Sequence, residues 1–366
     1  MSNLIPKQLI IFFGFALILG LINTQKSFAQ EFGQNKMQYQ EFNFKILQTK
    51  HFDIYYYPRE ETASKLVAKM AERWYARLTE IFGFDLSSRQ PLILYATHPQ
   101  FQQTNTTSGT ISEGVGGFTE PFKRRIVLPL SGPLAETDHV IGHELVHAFQ
   151  YDSTGQKGGE RAFRSPAIER LPLWFVEGMA EYLSIGYKDP NTAMWMRDAV
   201  KNQKTLPSIA QLAGSEFFPY RYGQALLAYF GGRWGNDKIG KLLLDSGKRG
   251  NLSMAIKKEL GVGVDTLSRQ WHADTYAAYA GFPQYNNKPS QYGKLLVNQD
   301  KNGGKYNIGP VISPDGKNMI FFSEKDLFSI DLFLADARTG KIKKNIVKTE
   351  FDPHFESLQF INSIKS

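Results

Sequence analysis

The chain contains no cysteine. That excludes disulfides, thiolate metal sites, a cysteine nucleophile and anchoring through a lipidated cysteine. Histidine is scarce, at seven in 366 residues, so any metal must rely on a few imidazoles and on carboxylates. No apolar run reaches the ~20 residues that a membrane-spanning helix needs; the longest, Leu9–Ile22, has 14. There is no basic block either. The net charge of +8 is mild and scattered, which argues against nucleic acid as a partner and suits an anionic envelope surface.

What is present suffices for a packed core. Hydrophobic residues make up 42% of the chain and charged residues 21%, so a disordered or low-complexity scaffold is excluded. The length fits two modest domains, or one large domain with an appendage. The first residues read as an export signal. Lys7 supplies a positive start, Leu9–Ile22 is the apolar stretch, and Ser27-Phe28-Ala29 before Gln30 is a small-x-small cleavage pattern. Residues 1–29 are therefore expected to be a signal peptide, with an uncleaved anchor as the alternative. The mature protein is expected to be periplasmic, associated with the outer membrane, or secreted.

Residues 42–130 read as mixed structure. Phe52–Tyr57 is a strand stopped by Pro58, and Leu92–Tyr95 and Ile126–Leu130 are two more. Between the first two, Ala63, Leu66, Val67, Met70, Trp74 and Leu78 repeat at helical spacing up to Gly83. From Thr137 to about Ala280 the pattern is almost wholly helical, with loops expected at Ser153–Ser165 and Asp189–Leu206. Residues 283–304, rich in Asn, Gln, Lys, Gly and Pro, read as a linker.

A β pattern follows over residues 305–366. Pro314-Asp315-Gly316 and Asp336-Ala337-Arg338-Thr339-Gly340 are turn signals between the strands Met319–Phe322, Ile330–Leu334 and Ile342–Val347. Tyr306–Lys348 resembles one blade of the Tol-type or WD-like β-propellers. An ordinary β-meander is the alternative, because such turns recur widely. Propellers need about four to eight blades, and only Phe351–Ile361 could begin a second here. The segment is thus expected to be incomplete and to need further blades or a partner.

The chemistry is concentrated between residues 137 and 181. His143-Glu144-Leu145-Val146-His147 is an HExxH sequence. On a helix, residues i and i+4 share a face, so both imidazoles can reach one ion, with Glu144 beside them. Thr137 or Asp138 is the expected N-cap of that helix. His139 does not complete the set, because it and His147 lie about 12 Å apart along the helix. About thirty residues on, Pro172 opens a second helix through Leu173-Trp174-Phe175-Val176-Glu177-Gly178-Met179-Ala180-Glu181-Tyr182, with Gly186 suited to its end. Glu177 and Glu181 stand one turn apart and can both face the first helix. Glu160 and Glu169 lie between the helices without that helical context. Two His plus one carboxylate with an open position is the donor set of a catalytic zinc site.

An HExxH helix followed by a W-x-x-E-G-x-A helix resembles the gluzincin metallopeptidases. The fold class that this implies is α+β. By the resemblance it would be a zincin-like metallopeptidase over residues 30–282, with a small N-terminal mixed sheet and a helical C-terminal half, plus an incomplete all-β propeller segment. By the resemblance, zinc is the cofactor and His143, His147 and Glu177 are its ligands. Glu181 would orient one of the histidines. Glu144 would be the general base that takes a proton from a zinc-bound water. Gluzincins of the aminopeptidase type also carry a Tyr three residues before a Gly, which helps to stabilise the tetrahedral intermediate. Tyr220-Arg221-Tyr222-Gly223 has that spacing, with Tyr220 in the matching place and Tyr222 left open. The stretch Gly116–Leu128 resembles the edge strand that lines the cleft in this superfamily; an interior strand is the alternative.

The activity so implied is hydrolysis of a peptide or protein substrate. No carboxylate cluster suited to a free amino terminus is evident, so endopeptidase and aminopeptidase action both remain open. The other function class is a non-catalytic envelope scaffold, with the β-region binding an envelope protein or lying at a membrane surface. An idle fold would have no physical need for Glu144.

Overall fold

A computed structural model describes residues 41–109, 111–112, 114–154, 167–203, 206–282, 289–326 and 330–348. The expected signal segment, Glu160 and Phe351–Ile361 lie outside the described residues. Among the described residues, no helix is long and apolar enough to cross a membrane. The architecture is mixed α+β, with no closed barrel or propeller among the described residues.

The first sheet has five strands: β1 (Lys45–Gln48), β2 (Phe52–Tyr56), β3 (Gln90–Tyr95), β4 (Phe118–Thr119) and β5 (Ile126–Pro129). Their order is β1-β2-β3-β5-β4. The central pairs β2–β3 and β3–β5 are parallel, and the outer pairs are antiparallel. Alternation decides the faces. Phe52, Ile54, Leu92, Leu94, Ile126 and Leu128 point to the main core, and Tyr95 and Val127 to a smaller one with Phe101. Helix α1 (Glu61–Phe82) makes the crossover from β2 to β3, and Gly83 in the left-handed region (φ 75°) ends it. Its Val67, Ala71, Trp74 and Leu78 join the main core. The short α2 (His98–Phe101) follows β3.

Helix α3 (Leu134–Thr154) runs beneath this sheet and is buried almost all round from Ile141 to Gln150. It begins at Leu134, a full turn before the expected cap. Thr137 does not cap it: the Thr137 hydroxyl instead meets Ser131, 2.9 Å away. Helix α4 (Leu173–Ile185) lies between Pro172 and Gly186, as the punctuation suggests. The expected loop at Asp189–Leu206 is a correction. It contains α5 (Pro190–Asp198), whose N-cap Asp189 accepts a hydrogen bond from the Thr192 amide at 2.6 Å. An Asp-Pro pair is both a turn signal and a helix start, and capping by Asp189 selects the second. Helices α6 (Pro219–Trp234), α7 (Asn236–Arg249), α8 (Leu252–Leu260) and α9 (Val264–Ala280) complete the helical half.

The second sheet is a four-stranded antiparallel meander of β6 (Asn307–Ile312), β7 (Asn318–Ser323), β8 (Asp331–Asp336) and β9 (Ile342–Val347). Met319, Phe321, Phe333 and Ala335 form its small core, covered by Leu296 and Val297. Asn302 bonds both Leu296 O and Gly340 O, so residues 296–302 pack on this sheet. Asp315 and Asp336 hold the two expected turns through backbone amides.

Candidate metal centre

Three atoms converge where α3 faces α4. His143 Nε2 and His147 Nε2 are 3.2 Å apart, and each lies 3.3 Å from Glu177 Oε2. The helical repeat puts the two imidazoles on one face, and Glu177 meets them from the opposite helix. All three side chains are nearly buried.

Two neighbours set which ring nitrogen offers a lone pair. Gln150 lies one turn beyond His147, wholly buried. Its Nε2 donates to Val176 O at 2.9 Å, so its Oε1 must be the atom 2.8 Å from His147 Nδ1. Because that oxygen only accepts, His147 carries its proton on Nδ1 and leaves Nε2 free. On the other side, His143 Nδ1 stands 2.9 Å from Glu181 Oε1, off the line of a linear hydrogen bond. The carboxylate charge nevertheless favours a hydrogen on that nitrogen. His139, one turn earlier, lies 3.5 Å from the same Glu181 oxygen and does not join the group of His143, His147 and Glu177.

This donor set fits a zinc ion. Ligand atoms at 2.0–2.1 Å and tetrahedral angles are separated by about 3.3 Å, which matches the triangle. Glu177 Oε2 is moreover buried without a hydrogen-bond partner, an expensive state unless a cation completes it. His139, His143 and Glu181 are a second geometrically compact group. It shares His143 with the first, and Arg221 already occupies Glu181, which opposes a further cation there.

Glu144 is buried next to the triangle. Thr119 Oγ1, on β4, lies 2.9 Å from Glu144 Oε2 and 2.8 Å from Glu144 O, and shares its one hydrogen between them. β4 is the sheet edge that reaches the site, whereas β5 is interior. Tyr220, at the start of α6, stacks on His143 with ring centroids 6.1 Å apart and planes at 14°. Burial, followed by the Glu177 and Glu144 carboxylates, holds its phenol above the ordinary range. Tyr222 is elsewhere: it is 2% exposed and packs on Phe217 and Trp195. Tyr151, a turn beyond His147, is pushed up to about 12 by burial and then by Glu144 and Glu177. Both phenols are thus neutral donors at ordinary pH. Glu169 is exposed on a 3-10 turn (Ala167–Arg170) and is outside the triangle.

Sequence reasoning missed Gln150, Thr119, Tyr151 and Arg221. Gln150 and Tyr151 had a local signal, at three and four residues after His147. Thr119 and Arg221 had none, because they arrive from distant elements.

No protein-family model matches the chain, and no curated protein matches it in sequence. The functional reading therefore rests on the site's own chemistry.

Proposed function

We propose that residues 30–282 form a zincin-like domain of gluzincin type, and that the protein is an exported zinc metallopeptidase. The observation that carries this is the triangle of His143 Nε2, His147 Nε2 and Glu177 Oε2, with the Glu144 carboxylate beside it. Three protein ligands are the pattern of a catalytic zinc site, where closed structural sites use four. A zinc ion held there would polarise a peptide carbonyl and lower the pKa of water towards ~7.

The chain's own groups divide the remaining work. Glu144 takes a proton from the attacking water and returns it to the leaving amine. Thr119 steadies the base by bonding one carboxylate oxygen and leaving the other free. The neutral Tyr220 phenol can donate to the charge that develops on the carbonyl oxygen. Gln150 and Glu181 keep the two imidazoles in the tautomer that presents Nε2. The same reading makes β4, the sheet edge beside Glu144, the place where an extended substrate peptide would add as a strand.

The test pairs metal analysis with hydrolysis of an unfolded protein, before and after chelation. Stoichiometric zinc with chelator-sensitive cleavage is the expected result. Zinc without turnover on any polypeptide would favour the scaffold reading, and no zinc at all would remove the site.

A further inference from the structure

The groups nearest the metal triangle rest on a second layer that the reading above does not use. Arg221 follows Tyr220 in the first turn of α6 and is 5% exposed. Its Nη1 lies 3.2 Å from Glu181 Oε2 and 3.2 Å from Asp189 Oδ2. Both acids are as buried as the guanidinium. Asp189 is itself fixed, because it caps α5 through the Thr192 amide. Gln224, one turn along α6, adds a 2.6 Å bond to Gly186 O at the end of α4.

We propose that Arg221 is a positioning residue for the metal centre, holding Glu181 against His143 and, through its own helix, Tyr220 over the same ring. The inference rests on the metallopeptidase reading and adds a residue to it. A carboxylate buried as deeply as Glu181 is costly without a paired cation. His139 and His143 touch one of its oxygens, and Arg221 takes the other. Removing Arg221 leaves Oε2 without its ion-pair partner and frees the carboxylate to rotate away from His143. His143 Nδ1 then loses the carboxylate that stands 2.9 Å from it, and the imidazole loses the charge that favours its tautomer and orientation. Such outer contacts commonly change metal affinity by about ten- to a hundredfold.

The geometry also argues against an anion-binding role for Arg221 towards substrate. Its Nη1 is already engaged by two carboxylates, and the side chain is 6% exposed. Arg221 and Tyr220 are consecutive, so they leave the helix about 100° apart. One can therefore lie behind Glu181 while the other lies over His143. A single helix start thus fixes a group in front of the metal position and another behind it.

The experiment is a double-mutant cycle read by zinc affinity, using chelator competition on the whole chain. Arg221→Met should weaken zinc binding by about ten- to a hundredfold. Arg221→Lys, which keeps the charge but not the planar fork, should recover part of that loss. In a Glu181→Gln background, Arg221→Met should change zinc affinity little further, because its target is gone. Asp189 keeps its bond from the Thr192 amide in every variant, and Arg221→Lys keeps a cation beside it, so thermal melting of Arg221→Lys separates loss of positioning from loss of fold. Additive losses across the cycle, or parental zinc affinity in a folded Arg221→Met, would overturn the inference alone. A parent protein that binds no zinc would instead remove the metal reading and, with it, this role.

Discussion

Gly178 and Gly223 face each other where α4 and α6 cross. A Cβ on Gly178 would stand 2.4 Å from Gly223 Cα, and one on Gly223 would stand 2.1 Å from Trp174 O. The two helices therefore touch backbone to backbone. That contact lies one residue from Glu177 and three from Tyr220, so it sets how closely α6 approaches the triangle of His143, His147 and Glu177. Alanine at either glycine gains about 1 kcal/mol of helix propensity. Overpacking against rigid backbone typically costs about 1–3 kcal/mol and more, so Gly178→Ala and Gly223→Ala should both be less stable. Denaturant titration checks this. Parental stability in both would mean that the helices do not meet there.

Glu144 separates an enzyme from a binding protein. Glu144→Gln keeps the size and the bond from Thr119 but removes the base. Zinc content and melting temperature should stay close to the parent, while hydrolysis falls by about 10²–10⁴-fold. His143→Ala should lose zinc and activity together. Parental cleavage by zinc-loaded Glu144→Gln would contradict the proposed mechanism.

Glu177 and Glu181 are expected to behave differently despite their helical equivalence. Glu177→Ala leaves two imidazoles and should abolish tight zinc binding. Glu181→Gln should retain the metal with about ten- to a hundredfold lower affinity. Equilibrium dialysis against a zinc buffer distinguishes them, and equal losses would remove the assignment of separate roles.

Gln150 makes the clearest case for a residue acting through another. Gln150→Leu has similar bulk but offers His147 no acceptor and Val176 O no donor. Zinc affinity should fall by about ten- to a hundredfold while the Glu144 chemistry remains. A chelator competition showing no change would mean that His147 is oriented by packing alone.

The metal-free site should hold protons where the cation would sit. Burial disfavours charge on His143, yet Glu177 and Glu181 outweigh it and push the imidazole up to about 10. His147 moves the same way: burial opposes its charge, and Glu177 overrides it. Burial likewise disfavours the two carboxylates, but the histidines hold both well below the ordinary range. A raised imidazole contributes its stability below the unfolded value of 6.5 and loses it as pH climbs towards about 10. A lowered carboxylate contributes above its unfolded 4.5 and loses that as pH falls further. This site should therefore stabilise the chelated protein most between those two values and progressively less above 6.5. Zinc binding at pH 7 should release at least one proton. Calorimetry in buffers of different ionisation heat measures that number, and a value of zero would exclude a protonated His143.

Local periodicity determined a large share of this protein. The α1 face, the strands β2, β3 and β5, and the α4 boundaries at Pro172 and Gly186 follow from spacing and punctuation within about ten residues. The pairing of His143 with His147, and of Glu177 with Glu181, follows from the same rule. The helix after Asp189 was not legible, since an Asp-Pro pair serves turn and helix alike. The stretch Gly116–Leu128 divides into an edge strand β4 and an interior strand β5, a division that no period in so few residues encodes.

Only the tertiary structure decided which members of each pair meet. Glu177 and Glu181 are equivalent along their helix, and the angle at which α4 crosses α3 sends one to the Nε2 atoms and the other to Nδ1. Tyr220 and Tyr222 lie about 200° apart around α6, and the glycine crossing at Gly178 and Gly223 turns the first to His143 and the second into the core. Thr119 and Arg221 reach the site from elements far away in sequence. No local pattern encodes such approaches, because they depend on how whole helices and strands pack, and packing is a property of the assembled core.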